Sequence, residues 1–311
     1  MKKSIERDLL LIENQIPVFV LKKLFVSVPT GEGTTGPSSF LLLSCCYFET
    51  YDPSLKVKYK RDQLKANNRG DQLVLNGRRQ QLLKQHWKTP DHFTDLMRYF
   101  FIPQGLCYDG VSTPVVKTAT KLEESGITFE PMPKACRLDV KFRKREYVHW
   151  LSWFPPLCWL NFLSARLQIP RLIVDGSTES ILLNFMALEM LHYPDHHWVC
   201  NYAALFDNLI DTEKDVDVLV ESQVIEHKLG RNEDLANLFN KICKNIVVKS
   251  SCYATLAKDL NNHYDSPFNS TMAQLRLVYF RGLWRCTGTL VDVAVLAFAI
   301  TGFIEAIEDL T

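Results

Sequence analysis

Residues 6–21 read Glu6-Arg7-Asp8-Leu9-Leu10-Leu11-Ile12-Glu13-Asn14-Gln15-Ile16-Pro17-Val18-Phe19-Val20-Leu21. Ile5, Leu9, Ile12 and Ile16 recur at helical spacing, and Leu10 and Leu11 widen the apolar face. Glu6, Arg7, Asp8 and Glu13 fall on the other side. Pro17 has no backbone N–H and disfavours helix at the residue before it. The spacing therefore predicts a first helix that stops near Asn14. A second helix starts at Pro17, a favourable first position, and runs through Val18, Leu21, Leu24 and Phe25. Glu13-Asn14-Gln15-Ile16-Pro17 becomes a structural corner, with the Asn14 and Gln15 amides serving free backbone groups of the two helix ends.

Working outward, the 311 residues carry 47% hydrophobic and 23% charged side chains and a net charge of +1. These are the proportions of an ordinary globular protein, and no global charge points to a nucleic-acid or membrane partner. The nine cysteines are odd in number and include no C-x-x-C pair. That fits reduced thiols facing the cytosol better than a disulfide framework. No signal peptide is visible, because the apolar run after Lys2 and Lys3 is broken by Glu6, Arg7 and Asp8.

Residues 26–39 loosen into Pro, Gly, Thr and Ser. Gly31 to Gly36 fits G-x-G-x-x-G, but a helical pattern and Pro29 precede it and Pro37 follows. It reads as a loop and not as a dinucleotide turn. Ser38 or Ser39 caps an apolar helix through Phe40, Leu43 and Tyr47. Residues 54–88 form a polar, basic loop, with ten Lys or Arg side chains against Asp62 and Asp71. Such a run can meet anionic lipid headgroups or a phosphate backbone, although it lacks the interleaved aromatics of a single-strand binder.

Phe93, Leu96, Met97 and Phe100 mark a short helix over His92–Phe101. Thr118–Ser125 is helical and Gly126 ends it. Leu138, Val140 and Phe142 alternate with charged residues, and 171–174 reads as their partner strand, giving a two-stranded ribbon from 138–142 and 171–174. Between them, residues 148–166 form an atypical aromatic insertion broken by Pro155-Pro156. It reads either as a gripping loop or as translated non-coding sequence. From Thr178 the pattern is helical almost to the end. Thr212-Glu213-Lys214-Asp215 has the form of a capping box with Asp in the last place, and Asn232 stands as a cap for the helix through Ile246.

The run DLLLIENQIPVFVL resembles the signature of the plant family catalogued as domain of unknown function 247. The segments HFTDLMRYFF, ATKLEESGITFEP, IPRLIVDGSTESILLNFMALE, FDNLIDTEKDVDVLVESQVI, LGRNEDLANLFNKI and HYDSPFNSTMAQLRLVYFRGLW resemble further family segments, in the expected order. Gly282 replaces a proline usual near Trp284, and 148–166 departs from an expected tight turn. The resemblance implies a helical protein with a terminal transmembrane helix and no established activity. Some grass members are linked to self-incompatibility, which implies recognition or signalling. In this family the corner motif lies well inside the protein, so the chain reads as N-terminally truncated or started at an internal methionine.

Residues 283–304 are long enough to cross a bilayer. In Cys286–Ile304, nine Leu, Ile, Val or Phe residues contribute roughly −4 kcal/mol in total, against about +2.5 to +3.5 for Asp292. The apolar sum is thus nearly cancelled. Arg276, Arg281 and Arg285 precede the span and acids follow it, which keeps the body cytosolic. Asn269-Ser270-Thr271 then stays on the cytosolic side, unglycosylated.

For chemistry, His192, His196, His197 and Cys200 are the metal candidates. Pro194 prevents His192 and His196 from sharing one helical face, so they are weak ones. Asp207, Asp211, Asp215 and Asp217 match no calcium loop. No G-x-S-x-G or phosphate-loop lysine occurs, and no cofactor is implied. The sequence is read as a mainly α protein: one helical domain over 1–282 with a two-stranded ribbon, and a transmembrane anchor at 283–304. Its expected setting is a plasma membrane or endomembrane, with the body facing the cytosol. Its expected role is non-enzymatic interaction with an unknown protein partner. A Cys- or metal-dependent hydrolase, and a lipid or nucleic-acid binder through 54–88, are the alternatives.

Overall fold

The computed structural model describes residues 2–27, 40–48, 90–102, 114–132, 136–144, 165–244, 246 and 250–267, with 295, 298 and 299. The basic loop 54–88, the Gly31–Gly36 motif and all of 148–164 lie outside the described residues. At the amino end, α1 (Lys2–Asp8) is followed by a 3-10 turn (Ile12–Asn14), α2 (Val18–Ser27) and α3 (Phe40–Tyr47). The first α-helix is shorter than its apolar spacing predicts. The reason is that side chains take over its backbone groups. Thr94 Oγ1 donates to Leu10 O at 3.0 Å, the Ile12 N–H donates to Asn184 Oδ1 at 2.7 Å, and Gln15 Nε2 donates to Leu9 O and Leu11 O. The unwinding at Leu9–Leu11 also resets the buried face. Leu10 and Glu6 turn inward, while Ile5 and Ile16 are exposed.

Two further helices follow, α4 (Phe93–Phe101) and α5 (Ala119–Glu124). An aromatic ladder joins the amino-terminal helices to α4. Phe25 meets Phe40 at 5.7 Å, and both Phe40 and Phe48 meet Phe93. Gly126 has φ 87°, which lets α5 stop and turn directly into a strand.

The strands correct the expected fold class. Among the described residues there are five of them: β1 (Ile127–Met132), β2 (Lys141–Arg143), β3 (Ala165–Pro170), β4 (Leu172–Val174) and β5 (Ile225–His227). β3 is the centre of a three-stranded mixed sheet, parallel to β1 and antiparallel to β2. β4 pairs in parallel with β5 in a second, two-stranded sheet. The architecture is mixed α/β, not a helical domain with one ribbon, and the expected partners 138–142 and 171–174 do not pair. Leu138 is drawn aside because its N–H donates to Phe101 O. Extended pairing begins only at Lys141. Ala165 and Arg166, counted above with the aromatic insertion, open the central strand.

Arg171 separates β3 from β4 and lets the chain change sheets; the next N–H, of Leu172, donates to Val224 O at 2.8 Å. β1 escapes recognition because Pro131 interrupts its alternation. As an edge strand it tolerates the missing donor. Ile127, Ala165, Leu167 and Ile169 face the core with Leu122 and Phe185.

The carboxyl half is α6 (Thr178–His192), α7 (Trp198–Leu209), α8 (Glu213–Glu221), then β5, α9 (Asn232–Cys243) and α10 (Ala254–Tyr264). Helicity is interrupted by β5 because Gln223 adopts φ 59°. The Val224 N–H then donates back to Leu219 O, which closes α8 and releases an extended segment. Asp215 is the acceptor that the Thr212 box predicts. It also accepts from the backbone and hydroxyl of Thr120, tying α5 to α8. Asn232 is the first residue of α9 and not its cap. It accepts or shares a hydrogen bond with His227 Nε2 at 2.6 Å and donates to Asp217.

The expected membrane helix at 283–304 finds no counterpart among the described residues. Among the described residues, no helix is long and apolar enough to cross a membrane. Of 283–304 only Val295, Phe298 and Ala299 are described.

Candidate functional site

A dense polar construction lies under the corner between α6 and α7, Tyr193–His197. Arg98 comes from α4, whose residues Thr94 to Arg98 are all buried. Its Nε donates to Glu189 Oε1 at 2.8 Å, and the two side chains are 1% and 0% exposed. Its Nη2 donates to His196 O at 2.8 Å. The guanidinium lies 4.0 Å from the Tyr193 ring centre and 4.9 Å from that of Trp198. Such a stack adds a cation–π attraction to the ion pair.

Glu189 Oε2 accepts the N–H groups of Val199 and Cys200 at 2.8 and 3.1 Å. A carboxylate in this place satisfies two free donors of α7 and sits at the positive end of its dipole. Alongside, the Tyr193 hydroxyl donates to Asp95 Oδ1 at 2.5 Å, and Asp95 Oδ2 accepts the Asp91 N–H. Burial, and then the Asp95 carboxylate, push the Tyr193 hydroxyl far above the ordinary phenol range. Tyr193 is therefore a neutral donor at any physiological pH.

The metal candidates are dispersed by this geometry. His192 is exposed at the end of α6. His196 is exposed and stacks on Trp198, with ring centres 5.1 Å apart and planes 9° apart. His197 precedes α7, and Cys200 is buried in its first turn with Sγ 3.9 Å from Met186 O. Among the described residues, no group of three His, Cys, Asp or Glu is placed to hold a metal ion. Burial, and then Glu189, raise the Cys200 thiol well above its usual range. Burial, and then Asp207, raise Cys243 to about 12. Neither thiol is a nucleophilic thiolate at neutral pH.

The corner motif serves the same construction. Gln15 Oε1 accepts the Thr94 N–H at 3.3 Å, and the Val18 N–H donates to Asp91 O at 2.9 Å. Gln15 thus ties the amino-terminal turn to α4 at Thr94, the first residue of the buried run that carries Arg98. Asn14 donates to Asp8 O; Glu13 and Ile16 are exposed and Pro17 half-buried.

Above the buried pair, the outer face of α6 is apolar. Leu183, Met190 and Leu191 are 42%, 55% and 69% exposed, with half-buried Ala187 between them on one helical stripe. The opposite face, with Ile181, Phe185 and Leu188, enters the core. Arg98 and Glu189 were not singled out from the sequence. The available signal was one base in a nine-residue apolar helix and one acid inside Ile181–Met190.

Fold and site together define a mixed α/β scaffold with a rigid, internally bonded corner and an apolar outer helix face. The chain belongs to the plant protein family of unknown function DUF247, whose family model matches residues 1–298. It is 27% identical over 295 residues to the UPF0481 protein At3g47200 of Arabidopsis thaliana, an alignment covering 90% of this chain and 55% of the relative. It is also similar to the putative UPF0481 protein At3g02645 of the same plant, 26% identical over 134 residues, 43% of this chain and 25% of that one. The chain thus spans about half the length of the first relative and a quarter of the second. No solved structure matches.

Proposed function

We propose that this chain is a non-enzymatic interaction protein that recognises another protein through the outer face of α6. The observation that carries this reading is the stripe Leu183–Ala187–Met190–Leu191. A surface helix normally presents polar residues to solvent opposite its apolar face. Here both faces are apolar, and contiguous exposed apolar surface marks interaction sites. The stripe is also held still. Arg98, Glu189 and Tyr193 fix the end of α6 from beneath, so a partner would meet a surface that costs little to order.

The test is proximity labelling in plant cells with the wild-type chain and a Met190→Asp, Leu191→Asp variant. Exposed substitutions of this kind change stability by about 0.5 kcal/mol or less, so the variant should melt like the wild type. It should lose a defined set of labelled proteins. An identical labelled set from both chains would overturn the reading.

A further inference from the structure

A cleft of about 150 Å³ is lined by residues 114–116, by α7 and by Ser251 and Tyr253. That is the volume of an apolar protein cavity that accepts benzene. Its walls are mixed. Val116 and Leu205 are buried and apolar, and among the described residues no charged one lines the space. Tyr253 is fixed, because its hydroxyl donates to Leu138 O at 2.7 Å.

Two polar groups are left with capacity. Ser251 is 4% exposed; its Oγ accepts the Tyr253 N–H at 3.0 Å, but its own proton meets no acceptor among the described residues. A buried hydroxyl without an acceptor is unfavourable, and a ligand acceptor would relieve it. Asn208 donates through Nδ2 to Ala204 O of its own helix at 2.8 Å, which leaves Oδ1 as the acceptor it has to offer.

We infer that this cleft is a binding site for a neutral, single-ring molecule carrying a hydrogen-bond acceptor, of the phenol or cyclic-amide class. The ring fills the space between Val116 and Leu205. The acceptor takes the Ser251 proton, and a hydroxyl or N–H on the ligand reaches Asn208. A carboxylate is disfavoured, because the described lining holds no cation to offset its desolvation.

Saturation-transfer NMR and thermal shift on the full chain, with phenol, benzene and benzoate as probes, test this. Phenol should bind at millimolar concentration, benzene more weakly, and benzoate not at all. Ser251→Ala should weaken phenol about three- to tenfold, the loss of one hydrogen bond. Ala204→Leu should fill the space and abolish binding. If that variant does not fold, Asn208→Leu serves the same purpose. No phenol binding to the folded wild type, equal binding of benzoate, or unchanged affinity in Ser251→Ala or the filled variant would each overturn the assignment.

Discussion

Arg98 Nε and Glu189 Oε1 stand 2.8 Å apart in a place that water does not reach, and each side chain has further partners of its own. Burying two charges is costly, and that cost is offset by the added bonds of Arg98 to His196 O and of Glu189 to the Val199 and Cys200 N–H groups. Removing one partner strands the other. Arg98→Met or Glu189→Met should each cost about 3–5 kcal/mol. The double variant should cost much less than the sum, because no lone charge remains. Urea denaturation of the three variants measures this; additive losses would mean that the pair is not coupled.

Gln15 is the hinge pin of the amino-terminal corner, with two donated bonds and one accepted bond. Gln15→Ala should lower stability by about 1–3 kcal/mol. Gln15→Glu should be at least as harmful at neutral pH, since it points a carboxylate at the carbonyls of Leu9 and Leu11. Limited proteolysis of residues 2–27 provides a second readout, with cleavage expected to accelerate in both variants.

Asp215 lies where α5 and α8 meet. Burial works to raise its carboxyl, but donors from Thr120 and Thr212 outweigh burial and hold it below the ordinary range. A carboxyl depressed in the folded state adds stability above its unfolded pKa of about 3.9, and that contribution is lost as pH falls through the folded value. Asp215→Asn should therefore be less stable than wild type by about 1–3 kcal/mol at pH 7. The gap should close below about pH 4. Urea midpoints across this range check the sign; a gap that widens in acid would refute it.

Gln223 holds the left-handed conformation that ends α8. Non-glycine residues bear about 1–2 kcal/mol in that conformation. Gln223→Gly should stabilise the fold by about 0.5–1 kcal/mol after the entropy of glycine in the unfolded chain is subtracted. A thermal melt that shows no gain would place the strain elsewhere.

Much of the helical content was legible in the sequence, for a physical reason. The apolar spacing of α9, the Thr212–Asp215 box and Gly126 all act over a few residues, and their partners are local. The strands were not, because their partners are distant. β1 drew no reading of its own beyond Gly126, and Leu138–Phe142 showed a strand period whose partner was misassigned. The site was half visible. Gln15 announced a polar corner, but its contact with Thr94 crosses 79 positions. The histidines at 192, 196 and 197 drew attention for their chemistry, whereas the organising residues are an Arg and a Glu hidden in apolar helices. One base or acid in such a helix reads as solvated unless its mate is known.

The parallel pairing of β4 with β5 carries a consequence for how the chain folds. Leu172 reaches Ile225 only across the whole of α6, α7 and α8. Closing so long a loop costs entropy before its few hydrogen bonds reward it. The three helices must therefore be largely packed before β5 can settle beside β4. The β4–β5 ladder acts as a latch, expected to form late and to open early. Amide exchange at Lys228 and Leu172, whose N–H groups donate across that junction, should be faster than exchange inside α7.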